Sequence, residues 1–269
     1  MSKPEVAAGQ EPAALYEVRG DVAIITLNRP KAMNSVNAAL SLAIGEGLER
    51  ADADPDVRVI VLTGTGRAFC AGMDLKAYAA GEDVDAPGHA DWGWAGIVRH
   101  QVAKPIIAAV NGFAMGGGAE IVLAADLVVA ARSAVLAFPE VKRGLIAAGG
   151  GVLRLPRQIA PKLAFELIAT GDSVTAERAL TLGLVNRVVD DESLMDEALA
   201  LANRIAENAP LAVQASKQLI RDGQTFASEH DPAMWDRQDE VTTSVFASND
   251  AREGAVAFAE RRPPQWSGS

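Results

Sequence analysis

Short β-branched runs alternate with helical spacing along the first two-thirds of the chain. Val22–Leu27 (VAIITL) is continuously apolar and predicts a buried strand, broken by Asn28-Arg29-Pro30. Leu40, Ile44 and Leu48 recur every fourth residue, which predicts a helix over Asn37–Ala53 that Asp54-Pro55 ends. Val57–Leu62 reads as the next strand, stopped by Thr63-Gly64-Thr65-Gly66. Strand, helix and strand in so short a span predict a βαβ unit and a parallel sheet. The rhythm returns with strands at Pro105–Val110 and Leu127–Ala131 around a helix over Ala119–Ala125. Ala134–Phe138 is a short apolar run, and Ala147–Gly151 opens a helical pattern through Leu155. Thr175 is placed to cap a helix over Ala176–Leu182, with Gly183 past its end and a last strand over Leu184–Val189.

Three stretches depart from this rhythm. Residues 1–14 are polar and Ala-rich, and predict a frayed N-terminus. Residues 76–103 hold Gly81, Gly88, Gly93 and Gly96, several acids, and Trp92 and Trp94, and predict a long irregular surface segment. From Ser193 to Glu260 the spacing is helical throughout. Such a tail either covers one face of the sheet or packs against another subunit. The expected organisation is therefore a frayed 1–14, an α/β body over 15–192 and a helical region over 193–269.

Composition narrows the function classes. The 269 residues include 49% hydrophobic residues, enough for a sizeable core. A formal net charge of −10 argues against a protein that coats nucleic acid or anionic membrane. The single Cys70 excludes an internal disulfide framework, and three histidines leave little for a metal site, so none is expected. No apolar run approaches the roughly 18 residues of a membrane span, and no apolar stretch follows the basic residue at the N-terminus. The expectation is a cytoplasmic protein.

Three constellations offer chemistry. In Asn111–Glu120 (NGFAMGGGAE) the triple glycine permits close backbone approach to a ligand. A helix starting there would aim free N–H groups at an anion or a polarised carbonyl, and its dipole would keep Glu120 ionised as a base. A packing glycine cluster with a capping Glu fits the same residues. Gly66–Leu75 (GRAFCAGMDL) follows a predicted strand, and ligands of open α/β sheets bind at the carboxyl ends of strands. A free N–H at Ala71 or Gly72 would pair with that of Gly117 as an oxyanion hole. A glycine turn with Asp74 as an N-cap explains the segment equally well, and Cys70 beside Phe69 reads as a small buried hydrophobe. Phe138-Pro139-Glu140 ends another predicted strand. There Glu140 is either an exposed structural residue or an acid opposite Glu120, two carboxylates in different environments being able to divide acid and base roles.

Together these segments resemble the crotonase superfamily and, within it, the enoyl-CoA hydratases. The likeness runs from about Leu15 to Ser267. It rests on Asn28–Asn34 (NRPKAMN), Ala68–Leu75 (AFCAGMDL), Lys104–Gly112 (KPIIAAVNG) with its following GGGAE, Phe138-Pro139-Glu140, Gly183–Val189 (GLVNRVV) and Phe258–Arg262 (FAERR). The resemblance implies a spiral of ββα units with a C-terminal helical region that builds homotrimers or dimers of trimers. It implies an acyl-CoA substrate, with coenzyme A entering as part of that substrate and no separate cofactor. The implied oxyanion donors are Ala71 and Gly117. Glu120 matches the glutamate that activates water, and Glu140 the one that protonates the α-carbon. Lys31, Ala32, Ala71, Gly72, Asp74, Leu75 and Arg261 fall where the family contacts CoA. Trp92, Trp94, Ala147 and Ala148 fall at the acyl end, the two alanines standing where the pattern usually has Pro and then Gly or Asp.

The activity this resemblance implies is reversible syn hydration of a 2-enoyl-CoA. Gly150–Pro156 (GGVLRLP) and the ending FAERRPPQW are similar to carnitinyl-CoA dehydratases, which makes crotonobetainyl-CoA the alternative substrate. A Δ3-Δ2 enoyl-CoA isomerase would need only one carboxylate. A non-catalytic CoA-binding subunit would need neither.

Overall fold

The computed structural model describes residues 11–269. The first ten residues of the expected frayed segment lie outside that range. Two strands open the fold, β1 (Ala14–Arg19) and β2 (Val22–Leu27), paired antiparallel across a turn at Gly20. β1 escapes the apolar pattern because most of its residues are exposed and only the run in β2 is buried. Pro12 and Ala13 are tied down as well, their carbonyls accepting from Asn28.

Helix α1 (Ala38–Ala53) starts where Asn37 accepts the Leu40 N–H, and it buries Leu40, Ile44 and Leu48. A repeat then runs through β3 (Val59–Gly64), β4 (Ala68–Cys70) and α2 (Leu75–Ala79). It continues as β5 (Ile106–Val110), β6 (Phe113–Met115) and α3 (Gly117–Ala124), then β7 (Leu127–Ala131) and β8 (Val135–Ala137). Helices α4 (Gly151–Gln158) and α5 (Pro161–Thr170) follow. Each unit lays its first strand in one sheet and its second in another. The larger sheet has the order β1-β2-β3-β5-β7-β10, with β10 at Arg187–Val189. The smaller has the order β4-β6-β8-β9, with β9 at Val174–Thr175 just before α6 (Ala176–Leu182). From β2 onward the larger sheet is parallel throughout, so its central strands β3 and β5 are buried on both faces and read as continuous apolar runs.

The helical tail divides its work. Helix α7 (Leu194–Ala206) lies on β2, β3, β5 and β7 and buries Leu194, Ala198 and Ala202. It thus covers the sheet, although it falls within the 193–269 region. Helices α8 (Pro210–Gly223), α9 (Pro232–Phe246) and α10 (Asn249–Glu260) continue outward, α8 on α9 and α9 on α10. Buried Lys217 anchors α8, pairing with Asp126 at 2.7 Å and donating to the Lys104 carbonyl at 2.6 Å.

Of the 76–103 segment, residues 76–79 belong to α2 and residues 80–91 are irregular and mostly exposed as expected, but from Trp92 onward the segment turns inward. Trp92, Ala95, Ile97 and Val98 are buried, and Trp92 packs so closely on α1 that a Cβ on Gly45 would overlap its ring.

Candidate active site

The two glutamates follow adjacent strands of the smaller sheet. Glu120 lies in the first turn of α3, and Glu140 in a 3-10 turn (Pro139–Arg143) that follows β8. Because β6 and β8 are adjacent and parallel, the chain segments leaving them emerge side by side. Gly116, the residue that begins α3, has φ 56° and ψ −124°, a conformation open to glycine. A Cβ there would lie 3.2 Å from Glu140 Oε1, so the Glu140 carboxyl rests against the start of α3.

The environments of the two carboxyls differ. Glu120 is 4% exposed, and its Oε1 accepts the Gly151 N–H at 2.8 Å. Gly149 packs against the same group, a Cβ there falling 2.6 Å from Oε2. Burial raises the Glu120 carboxyl to about 7, with the Gly151 N–H acting against it and Glu140 acting with it. Desolvation therefore outweighs the helix dipole that was expected to hold Glu120 ionised. Both oxygens of Glu140 are buried and have no hydrogen-bond partner among the described residues, and burial raises its carboxyl as well. An unsatisfied buried carboxyl costs stability.

Of the N–H groups expected as oxyanion donors, one is already engaged. The Ala71 N–H is not free: it donates to the Met33 carbonyl at 2.9 Å. The Gly72 N–H points to Cys70 Sγ at 3.4 Å. Two residues past Ala71, the Met73 N–H is engaged by nothing among the described residues. The bridge between Val36 and Met73 instead uses the Gly72 carbonyl and the Asp74 N–H. Gly117, at the first position of α3, has no intrahelical acceptor for its N–H. The two loops are in contact, since a Cβ on Gly72 would lie 3.2 Å from the Gly117 nitrogen.

Around this centre the expected residues separate into two groups. Lys31 and Ala32 lie on a 3-10 turn (Pro30–Ala32) whose continuation, Met33, bonds Ala71, so they adjoin Gly72, Asp74 and Leu75 on one rim. Lys31 and Leu75 are exposed there, whereas Asp74 caps α2 and pairs with Arg29 at 3.0 Å. Trp94 is half-buried, and a Cβ on Gly117 would overlap its ring. Ala147 is buried beside Gly151, whereas Ala148 is exposed. Trp92 belongs elsewhere, stacked between His89 (ring centroids 3.6 Å apart) and His100 (4.8 Å) beneath α1. Arg261 sits past the end of α10 with its N–H on the Phe258 carbonyl, and no contact among the described residues joins it to the glutamates. Cys70 is fully buried and its thiol is pushed up to about 12, which suits a packing residue and not a nucleophile.

A family profile described as Enoyl-CoA hydratase/isomerase matches residues 17–269. The chain belongs to this family. Its fold is accordingly the crotonase fold, with the paired strands of each ββα unit shared between two sheets. Among curated relatives, carnitinyl-CoA dehydratase from Proteus mirabilis is 44% identical over 253 residues, covering 93% of this chain and 96% of the relative. Among solved structures, an enoyl-CoA hydratase from Mycobacterium tuberculosis H37Rv superposes with a TM-score of 0.91 at 48% identity, covering 96% of this chain and 100% of that one. A carnitinyl-CoA hydratase from Mycobacterium avium gives a TM-score of 0.78 at 49% identity, covering 97% and 100%.

Proposed function

We propose that this member of the enoyl-CoA hydratase/isomerase family adds water reversibly across the 2,3 double bond of an enoyl-CoA. The observation that carries the reading is the pair of buried carboxyls in unlike settings, Glu120 with an N–H donor and Glu140 with none. The Gly151 N–H favours the ionised form of Glu120 against the burial that raises its carboxyl to about 7, so Glu120 serves as the base at and above that pH, and Glu140, which has no such donor, serves as the acid. Glu120 takes a proton from water as the water oxygen bonds to C3. The double-bond electrons move onto the thioester oxygen, forming an enolate. Glu140 then delivers a proton to C2, and proton exchange between the two carboxyls restores the starting state. The N–H groups of Met73 and Gly117 receive the charge that develops on the thioester oxygen. Protein groups and the CoA thioester complete this chemistry, so the reading calls for no metal or redox cofactor. The CoA rim of the reading comprises Lys31, Ala32, Gly72 and Leu75, and the protein works as a trimer or a dimer of trimers in the cytoplasm. Arg261, which no contact among the described residues joins to its own chain's glutamates, reaches CoA in this reading from a neighbouring subunit.

A simple short-to-medium acyl chain is the first substrate in this reading. A trimethylammonium head group favours an aromatic face or a nearby carboxylate. Trp92 is committed to its histidine stack, which leaves Trp94 as the one tryptophan against the α3 start. The second reading, carnitinyl-CoA dehydratase, is favoured by the names of the Proteus and Mycobacterium avium relatives. Comparison of kcat/KM for crotonyl-CoA and crotonobetainyl-CoA separates the two. The first reading predicts that crotonyl-CoA is the better substrate. A preference of more than ~10-fold for crotonobetainyl-CoA, about 1.4 kcal/mol in the transition state, reverses the order.

A further inference from the structure

Arg154 is a charged side chain of α4 that faces the protein interior and, among the described residues, has no carboxylate within bonding distance. It is half-buried, and burial is the main influence acting against its charge. Its guanidinium instead bonds two carbonyls from different parts of the chain. Nη1 donates to the Gly149 carbonyl at 3.4 Å, and Nη2 donates to the Val98 carbonyl. Gly149 belongs to the turn that packs on Glu120 and leads to the Gly151 N–H. Val98 belongs to the irregular segment that sets Trp94 over Gly117. One planar cation thus fastens together the two loops that shape the site.

We propose that Arg154 is a positioning residue for Glu120, holding the 149–151 turn against the Glu120 carboxylate and joining that turn to the segment that presents Trp94. The inference rests on Glu120 being the base of the hydration proposed above. The charged groups acting on Glu120 are Glu140, from the turn after β8, which disfavours its ionisation, and Arg154, which favours it. Arg221 of α8 and Arg157 of α4 face Arg154 in turn, and their repulsion is partly offset by Glu120. Removal of the Arg154 charge therefore makes Glu120 harder to ionise, and the acid limb of the rate profile moves to higher pH. Removal of its two carbonyl contacts loosens the turn, and a displacement of about 1 Å at a reacting group can cost roughly 100-fold in rate.

The test uses the full-length protein with crotonyl-CoA across a pH series, comparing wild type, Arg154→Met, Arg154→Lys and Glu120→Gln, with circular dichroism to confirm folding. Arg154→Met is expected to lower kcat by roughly 10- to 100-fold at pH 7 with little change in KM, and to move the acid limb upward. Arg154→Lys keeps the charge but not the two-carbonyl fork, so its acid limb should stay in place while kcat falls less. A folded Arg154→Met with the wild-type kcat and acid limb overturns the inference, and so does a loss confined to KM. If Arg154→Met does not fold, Arg154→Lys decides: lowered kcat at unchanged KM supports the inference, and wild-type kcat overturns it. An active Glu120→Gln would remove the underlying hydration reading itself. An inactive Glu120→Gln beside a wild-type-like Arg154→Met would remove only the role of the arginine.

Discussion

At the residue scale, the two carboxyls and the free N–H groups carry the account. Glu120→Gln and Glu140→Gln should fold and lose hydration by at least ~10²-fold, the lower range for removing a general acid or base. Steady-state rates checked against circular dichroism test this, and near-wild-type turnover in either variant would remove that residue from the mechanism. Glu120 also has a signature in stability. Its folded carboxyl is raised to about 7, so the folded state holds a proton that the unfolded state releases at lower pH. Its contribution to stability is present at acid pH and is lost as pH rises through about 7. Glu120→Gln keeps an acceptor for the Gly151 N–H, so it should melt above wild type at pH 8, the gap closing at pH 5. Thermal melts at the two values check this, and a variant less stable at pH 8 would contradict it. Met73→Pro removes an N–H that no acceptor among the described residues takes, and should lower kcat by roughly 10²- to 10³-fold, the usual cost of one oxyanion donor. Unchanged kcat in a folded variant would return that role to another group.

At the element scale, the start of α3 gathers the site because β4, β6 and β8 run parallel and deliver their following turns to one place. The close fit of Trp94 on Gly117 gives a prediction at this scale. Gly117→Ala should force Trp94 aside and reduce kcat/KM, and Gly117→Ala combined with Trp94→Ala should recover part of the loss. A double variant no better than the single one would show that the ring does not constrain this helix start. The pattern of apolar positions makes most of this architecture legible. VAIITL and IIAAV are continuous because their strands are buried on both faces, and Thr175 and Gly183 bracket α6 as their chemistry requires. The smaller sheet is not legible in the same way. β4 and β6 are three residues each and lie against glycine-rich turns, so they present no period to read. The engagement of the Ala71 N–H is hidden by the same cause. Which N–H stays free depends on the Val36 bridge and the Met33 carbonyl, both contributed by a segment more than thirty residues earlier in the chain. The depth of Trp92 is hidden likewise, because the cavity it fills is made by Gly45 on α1.

At the scale of the whole molecule, the outer helices present large apolar side chains to solvent in the single chain. Ile220 is 68% exposed, Phe246 81% and Phe258 87%. Surfaces of this kind mark contacts with other chains; the assembly proposed above predicts a trimer or hexamer by sedimentation, and a monomer at micromolar concentration would contradict it. Among the described residues no helix is long and apolar enough to cross a membrane. The central claim is that two carboxyls and two backbone N–H groups add water to an enoyl thioester. Its most direct test is mass analysis of the product formed by the pure protein from crotonyl-CoA and, in parallel, crotonobetainyl-CoA in ¹⁸O-labelled water. The account predicts a 3-hydroxyacyl-CoA bearing one solvent oxygen, formed at the rate at which the conjugated-thioester absorbance is lost. A product that is only a positional isomer without solvent oxygen, or no product from either substrate, would contradict it.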